Sequence, residues 1–122
     1  MYFDGACRNN GQPTARSSCG VFFGDYSHPM TSQKLLSVTT NTAAEIQGAT
    51  FLCKQLIAHI KDGNVVPYAI ARGDSNLVIS NINRGVIQSY TKHARMPNNA
   101  HWRELNECVN EISLLGTTLK WV

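Results

Sequence analysis

Apolar residues recur with two different periods along this chain, and the change of period divides it into two parts. The first forty residues carry short apolar runs separated by polar loops, which is typical of β-strands. We predict strands at residues 1–7, 19–24 and 34–38, with loops at 8–18 and 25–33. Consecutive strands joined in this way favour antiparallel pairing, so the chain is expected to begin with a three-stranded meander.

The period becomes helical from Thr42 to about Ile60, where apolar residues are spaced by three and four. The predicted buried stripe contains Ala49, Leu52, Leu56 and Ile60. Thr40, Asn41 or Thr42 is suited to cap the start of this helix. Residues 65–71 then predict a fourth strand. It is expected to lie parallel to the first strand through a right-handed crossover.

The last part of the sequence predicts two helices and a final strand. A short helix is expected at 76–82, an irregular or weakly helical segment at 83–99, a longer helix from about Asn99, and a strand at 117–122. Gly116 is expected to end the longer helix. Its predicted apolar face consists of Trp102, Leu105, Cys108, Val109, Ile112 and Leu115. The order β-β-β-α-β-α-α-β predicts an α/β fold with a five-stranded mixed sheet and flanking helices.

Composition narrows the class of protein without identifying it. The chain has 122 residues, which predicts one domain, and it is 43% hydrophobic and 16% charged. No apolar run approaches the roughly 20 residues of a membrane span, and no signal-peptide pattern is present. The four cysteines contain no C-x-x-C pair, so a common zinc site is disfavoured and a reduced, intracellular setting (cytoplasm or nucleus) is expected. The net charge of +3 permits a polyanionic partner.

Three carboxylates occupy positions that are unusual for acidic residues. Asp4 interrupts an apolar strand, where a charge is costly unless it is paired or binds a metal. Glu45 falls one turn before Ala49 on the predicted buried stripe of the helix. Asp74 lies at the carboxyl end of a predicted parallel strand, where open α/β sheets bind their ligands.

Each of these acids also has an ordinary structural interpretation. Asp4 could open a turn with Gly5. Glu45 could complete a capping box with Thr42. Asp74 could be the N-cap of the short helix that follows it.

The arrangement of motifs resembles the type 1 ribonuclease H family. The likeness rests on Phe3-Asp4-Gly5-Ala6, on Thr40-Asn41-Thr42-Ala43-Ala44-Glu45 and on Gly73-Asp74-Ser75-Asn76-Leu77-Val78, with a weaker match at 99–105. It covers nearly the whole chain. Each motif is weak alone, but three in the right order, each on the right element, form a strong pattern. The resemblance implies a ribonuclease H-like fold.

The resemblance further implies metal-dependent hydrolysis of the RNA strand of RNA–DNA hybrids. Asp4, Glu45 and Asp74 would be the catalytic acids and would hold two Mg²⁺ ions, with Mn²⁺ as a substitute. Magnesium prefers such carboxylate oxygens, and two ions about 4 Å apart can activate water and stabilise a leaving oxygen. The partner would be an RNA–DNA hybrid, with no membrane, and the protein is expected to be a monomer.

Contacts with the hybrid are also implied by the resemblance. They fall on Asn10 or Gly11 in the first loop, on Asn41 at the start of the helix and on Asn76 after Asp74. Short polar groups there would meet ribose 2′-hydroxyls, which distinguish RNA from DNA. The other candidate nucleic-acid-binding positions are Gly5, Cys7 and Thr42. Cys7 would offer backbone contacts, although an ordinary residue at the end of a strand is the favoured interpretation of it.

Two departures from the family pattern affect the expected function. The family has a fourth acid beyond the fifth strand, after a mobile loop with a histidine, and a last helix that covers one face of the sheet. Because this sequence ends at Val122, we expect it to be C-terminally incomplete, as a piece of a longer protein rather than a degenerate member. Lys92, His93 and Arg95 form only a thin basic cluster, so we expect either a modest affinity for hybrids or a separate binding domain that supplies it.

Two alternative functions remain open. A non-catalytic nucleic-acid-binding module on the same scaffold is consistent with the missing fourth acid. A different nuclease or recombinase, such as an integrase-like enzyme, could use the same fold. The segment 40–45 argues against the second alternative, because an acid early in the first long helix matches the hybrid-cleaving type.

Overall fold

The structure of this protein is a computed structural model, and it describes residues 1–23, 31–35, 38–90 and 97–122. The strands are β1 (Tyr2–Arg8), β2 (Arg16–Phe22), β3 (Thr31–Leu35), β4 (Tyr68–Gly73) and β5 (Thr118–Trp121). The helices are α1 (Asn41–Lys61), α2 (Asn76–Asn83), α3 (Ile87–Tyr90) and α4 (Asn99–Leu114).

The strands form one five-stranded sheet in the order β3-β2-β1-β4-β5. β1 pairs antiparallel with β2, and β2 pairs antiparallel with β3, which confirms the predicted meander. β4 is parallel to both β1 and β5, which confirms the predicted parallel pairing with β1 and the mixed sheet. The parallel register pairs Tyr2 with Arg72 and Phe3 with Gly73. This register determines which residues of β1 lie beside the carboxyl end of β4.

Three strands begin three residues away from their predicted starts, and strand pairing explains the shift of β2. β2 begins at Arg16, three residues before the prediction, because its polar first residues pair with the end of β1 through Arg8. β3 occupies 31–35 instead of 34–38, so Gln33 is in a strand and not in a turn. β4 begins at Tyr68, whereas Val65 is 92% exposed. Residues 24–30 and 36–37 lie outside the described part of the chain.

The helix predictions are closer to the structure. α1 extends one residue beyond the predicted start and one beyond the predicted end. Gly116 has a φ of 88° and follows α4, as predicted. Leu115 lies outside the helix and is exposed, so it does not belong to the apolar face. The predicted irregular segment contains the short helix α3, while Lys92, His93 and Arg95 lie outside the described residues.

The core lies between the sheet and the helices on one of its faces. Residues of β1 alternate in burial, so that Phe3 is buried and Tyr2 and Asp4 are exposed. Phe3 packs edge-on against Trp121, with ring centroids 5.8 Å apart. The largest fully buried side chains in the described residues are Val21, Ile46, Thr50, Leu52, Cys53, Leu56, Val78, Leu105 and Ile112.

The cysteines contribute to this core as small apolar residues. Cys19, Cys53 and Cys108 are buried free thiols, as predicted for the last two. Burial raises the pKa of Cys19 to about 11. Burial also raises the pKa of Cys53 and of Cys108, so these thiols stay protonated at neutral pH.

No helix in the described residues combines the length and the apolar character that crossing a membrane requires.

Candidate functional site

Asp4 and Asp74 lie side by side in the middle of the sheet, where β4 ends next to the central strand β1. β4 ends at Gly73, which is paired with Phe3, and each aspartate is the next residue along its own chain segment. Adjacent strands are about 4.8 Å apart, so the backbones of the two aspartates are neighbours although 70 positions separate them in sequence. Both residues line a cavity of about 360 Å³ on the exposed side of the sheet.

Helix α1 contacts β1 next to Asp4, backbone against backbone, because two glycines leave room for this close approach. A Cβ atom added to Gly5 would lie 2.1 Å from the Ala44 carbonyl oxygen and 2.6 Å from the Glu45 nitrogen. A Cβ atom added to Gly48 would lie 2.8 Å from the Asp4 carbonyl oxygen. The first turns of α1 therefore rest directly on β1, and this contact brings the backbone of Glu45 next to that of Asp4.

Neither Asp4 nor Glu45 has the ordinary structural role that its sequence position allowed. β1 continues through Gly5 to Arg8, so Asp4 does not open a turn there. The N-cap of α1 is Thr40, whose Oγ1 accepts a hydrogen bond from the Ala43 nitrogen, and the first turn contains no acid. Glu45 is the fifth helical residue, too late for a capping box.

Asp74 likewise lacks the role of a helix cap. The N-cap of α2 is Ser75, whose Oγ accepts a hydrogen bond from the Val78 nitrogen. Asp74 is exposed, as is Asp4, and Glu45 is half-buried. All three acids are thus accessible from solvent, and none of them caps a helix.

The side chains themselves are not gathered around a common point. Within the described ranges, no three His, Cys, Asp or Glu side chains form a group that could hold a metal ion. The carboxylate of Asp4 turns back on its own backbone and accepts a hydrogen bond of 2.9 Å from the Gly5 nitrogen. The donors fit Mg²⁺ in chemistry and in backbone position. Their present side-chain conformations do not fit, so a shared ion requires rotation about side-chain torsions.

Most of the predicted nucleic-acid-binding residues cluster at the start of α1. The Cys7 nitrogen donates a hydrogen bond of 2.8 Å to Asn41 Oδ1, and the Asn41 nitrogen donates one of 2.6 Å to Asn10 Oδ1. Gly11, with a φ of 76°, donates from its nitrogen to the Thr39 carbonyl oxygen at 2.6 Å. The first loop is therefore bound to the beginning of the helix.

The remaining predicted contact residues flank this cluster. Gly5 lies under α1, and Thr42 is the half-buried second residue of that helix. Asn76 is the exposed first residue of α2 and lies two residues beyond Asp74. The predicted contacts thus lie mainly in two places, the Asn10–Asn41 cluster at the start of α1 and Asn76 at the start of α2.

The sequence reasoning did not identify every residue that builds this site. Gly48 supports the approach of α1 to Asp4, and an isolated glycine inside a helical pattern is the signal that could have found it. The Thr39 carbonyl, which anchors the first loop, has no sequence signal, because any residue supplies a carbonyl oxygen.

A polar stripe between α1 and α4 also went unpredicted. Gln47 Nε2 lies 2.7 Å from His101 Nδ1 and 3.2 Å from Glu104 Oε2, and Lys54 Nζ lies 2.6 Å from Glu104 Oε1. Lys61 pairs with Glu111 at 2.8 Å. Burial raises the pKa of Glu104, but the hydrogen bonds from Lys54 and Gln47 outweigh it, and the net shift of the pKa is downward.

Comparison with known proteins supports the architecture. No protein-family model matches the sequence, and no curated protein matches it. Among solved structures, RNase H1 from Halobacterium salinarum NRC-1 is 21% identical, with a TM-score of 0.62 over 98% of this chain and 79% of that one. A foamy viral protease-reverse transcriptase in complex with dsDNA is 19% identical, with a TM-score of 0.65 over 99% of this chain and 77% of that one.

A third structure, LC11-RNase H1 in complex with an RNA/DNA hybrid, is 20% identical, with a TM-score of 0.58 over 99% of this chain and 80% of that one. Together these likenesses show that the chain has the ribonuclease H-like fold.

Proposed function

We propose that this protein is a metal-dependent endonuclease that hydrolyses the RNA strand of RNA–DNA hybrids. Asp4, Glu45 and Asp74 are its catalytic acids and hold two Mg²⁺ ions, for which Mn²⁺ substitutes. When bound, such ions supply an activated water and stabilise the oxygen that leaves. The fold, and the solved neighbour that carries a hybrid, support this proposal.

One observation carries the proposal. The backbone of Asp4 is a neighbour of the backbones of both Asp74 and Glu45, which are far from it in sequence, and none of the three acids caps a helix. Exposed acids without a structural task are common on surfaces. Asp74 follows the carboxyl end of the parallel strand β4, where open α/β sheets bind their ligands, and the closeness of the other two acids to this position supports a ligand-binding role.

The chain's own residues have two tasks in this reaction. The three carboxylates, which are exposed or half-buried, would hold the ions after rotation of their side chains, and for Asp4 this rotation breaks the hydrogen bond from the Gly5 nitrogen. Asn10 or Gly11, Asn41 and Asn76 contact the backbone of the hybrid and position the phosphate that reacts. Gly5, Cys7 and Thr42 complete the binding surface.

Cleavage of a labelled RNA–DNA duplex with Mg²⁺ tests the proposal. We expect Asp4→Asn to lower the cleavage rate at least about 100-fold, because losing one ligand of an ion at the reacting phosphate removes several kcal/mol of transition-state stabilisation. Asp62→Asn is the matched control. Asp62 is an exposed acid at the other end of α1, about 25 Å from Glu45 by helix rise.

Cleavage by the parent and by Asp62→Asn, together with its loss in Asp4→Asn, would support the proposed function. Equal rates for the parent and Asp4→Asn would contradict it.

A non-catalytic nucleic-acid-binding module is the second candidate. It is favoured by the separation of the three carboxylates, since the described residues contain no group of three side chains that could hold a metal. Hybrid binding by the parent without cleavage, at saturating Mg²⁺ and Mn²⁺, would select this function over the first.

A further inference from the structure

The face of the sheet that is turned away from the helices carries five positively charged side chains. Burial alternates along β1 and β2, so every second residue of these strands points to this face. The pairing of β3, β4 and β5 with their neighbours places their residues on the same two faces. We call the surface away from the helices the outer face. Its cations, all of them exposed, are Arg8, Arg16, Lys34, Arg72 and Lys120.

These cations have no partner of opposite charge in the part of the chain that the structure describes. The ion pairs there lie between α1 and α4, on the other side of the sheet. Arg8 lies directly opposite Arg16 in the β1–β2 register, and like charges at such positions destabilise a sheet. Asp4 is the one acid among the residues of the described strands that point to the outer face. The outer face is therefore strongly positive.

Aromatic side chains lie among these cations. Tyr2 pairs with Phe22 on one side and with Arg72 on the other, so these three residues form a row across β2, β1 and β4. Tyr2 is 52% exposed, and Phe22 is half-buried. The cavity of about 360 Å³ adjoins this row, and its lining includes the small residues Ala6 and Gly20. The rings thus border a depression with room for a planar group.

The charges of the outer face determine what can cover it. Burial beneath an apolar helix would remove five unpaired charges from water, which is costly. A second copy of this chain, placed on the same face, would bring five further positive charges against them. A polyanion is attracted by all five. Exposed rings beside cations are typical of surfaces that bind single-stranded nucleic acid, because the rings stack on unpaired bases while the cations bind phosphates.

We propose that the outer face binds single-stranded RNA or DNA, as a second nucleic-acid site separate from that for the hybrid. Tyr2 and Phe22 stack on bases, and Arg72 and Lys120 bind phosphates. The carboxylate of Asp4 repels phosphates, so the strand passes over β2 rather than along β1. Stacking does not involve the 2′-hydroxyl, so RNA and DNA bind alike, whereas a duplex offers no free base face to the rings. The proposal needs neither the three acids nor a metal and does not rest on the proposed function.

Fluorescence anisotropy of labelled oligo(dT) and oligo(U) of about 12 nucleotides tests the stacking. The titration is carried out in EDTA, so that no divalent ion can draw the strands to the three acids. We expect the parent to bind both strands, and Tyr2→Ala to bind each at least about fivefold more weakly, because one stacked base is lost. Tyr2→Phe keeps the ring and should bind like the parent. Tyr2→Ala should leave the affinity for a blunt DNA duplex unchanged.

The dependence of this affinity on salt tests the role of the cations. The double variant Arg72→Gln/Lys120→Gln should reduce the slope of log affinity against log salt by about 1.4, because each phosphate contact on a single strand contributes about 0.7. The double variant Lys54→Gln/Arg103→Gln removes the same charge from exposed positions of α1 and α4 and should keep the slope of the parent.

Failure of the parent to bind either strand in EDTA would overturn the proposal. Equal affinity of Tyr2→Ala and the parent, or equal slopes of the two double variants, would overturn it as well. Self-association of the parent, or its binding to phosphatidylserine vesicles, without binding to the oligonucleotides would assign the outer face to another occupant. Absence of hybrid cleavage with Mg²⁺ would contradict the proposed function alone, because binding in EDTA requires no metal.

Discussion

The two sides of α1 meet their neighbours in opposite ways. Toward the sheet, Gly5 and Gly48 bring backbone against backbone, and even one added methyl group would overlap the neighbouring chain. Toward α4, the contact at its polar edge is made by long side chains at intervals of seven residues, namely Gln47, Lys54 and Lys61. Seven residues are about two helical turns, so these side chains share one side of the helix.

The contact of α1 with the sheet is fixed, whereas its polar contact with α4 can adapt. Backbone atoms cannot move aside without shifting a whole strand or helix, so the contact with β1 sets the position of Glu45 relative to Asp4. Long polar side chains can change rotamer, and the Lys54–Glu104 and Lys61–Glu111 pairs are 39 to 59% exposed. Exposed ion pairs contribute little stability. We infer that the side of α1 facing the sheet maintains the site, while the polar edge facing α4 tolerates change.

Substitution of Gly5 is expected to lower the stability of the protein the most. In Gly5→Ala the new methyl group would lie 2.1 Å from the Ala44 carbonyl oxygen, so helix and strand must separate. We expect the free energy of unfolding in urea to fall by at least about 3 kcal/mol. Gly20→Ala is the matched control, since its nearest neighbour, the Thr31 carbonyl oxygen, is 3.4 Å away. Its stability should stay within about 1 kcal/mol of the parent. Similar losses in both variants would show that the close approach of α1 to β1 at Gly5 does not cause the loss of stability.

Removal of the charge on Glu104 is expected to lower the stability much less. The pKa of this carboxyl is lowered in the folded protein, so its contribution to stability is present above the pKa of an unfolded glutamate and is lost as the pH falls through the folded pKa. We expect Glu104→Gln to cost at most about 1 kcal/mol at pH 7, since solvent screens the partly exposed pair.

The difference between the Glu104→Gln variant and the parent should then shrink as the pH is lowered below about 4.3. Urea unfolding from pH 7 to pH 3 measures it, with Glu107→Gln as a control on the same helix. A difference that is constant with pH would show that the hydrogen bonds to Glu104 do not depend on its charge.

The sequence predicted the fold well because it depends on patterns that extend over many residues. The apolar stripe through Leu52 and Leu56 located α1, and the change of period located the crossover. The ends of strands were less predictable where they depend on pairing with a neighbouring strand. Arg16 belongs to β2 because Arg8 lies opposite, and no local propensity contains that information.

The candidate site was only partly predictable from the sequence. The three acids could be identified from their unusual surroundings in the sequence, and the fold brings their backbones together. The conformations of their side chains could not be predicted, since a bond such as that from the Gly5 nitrogen to Asp4 Oδ1 depends on local geometry. The hydrogen bond from the Asn41 nitrogen to Asn10 Oδ1 was equally hidden, because both residues were named as candidate contacts but nothing in the sequence indicates that they contact each other.

The most direct test of the account asks whether the three acids bind one group of divalent ions. Titration with Mn²⁺, followed by paramagnetic broadening of amide signals in NMR, measures this without substrate. We predict that the amide signals of Gly5, Glu45 and Asp74 broaden together at substoichiometric Mn²⁺, and that all three stay sharp in Asp74→Asn. Broadening of only one of these signals, or broadening that persists unchanged in Asp74→Asn, would contradict a shared metal site.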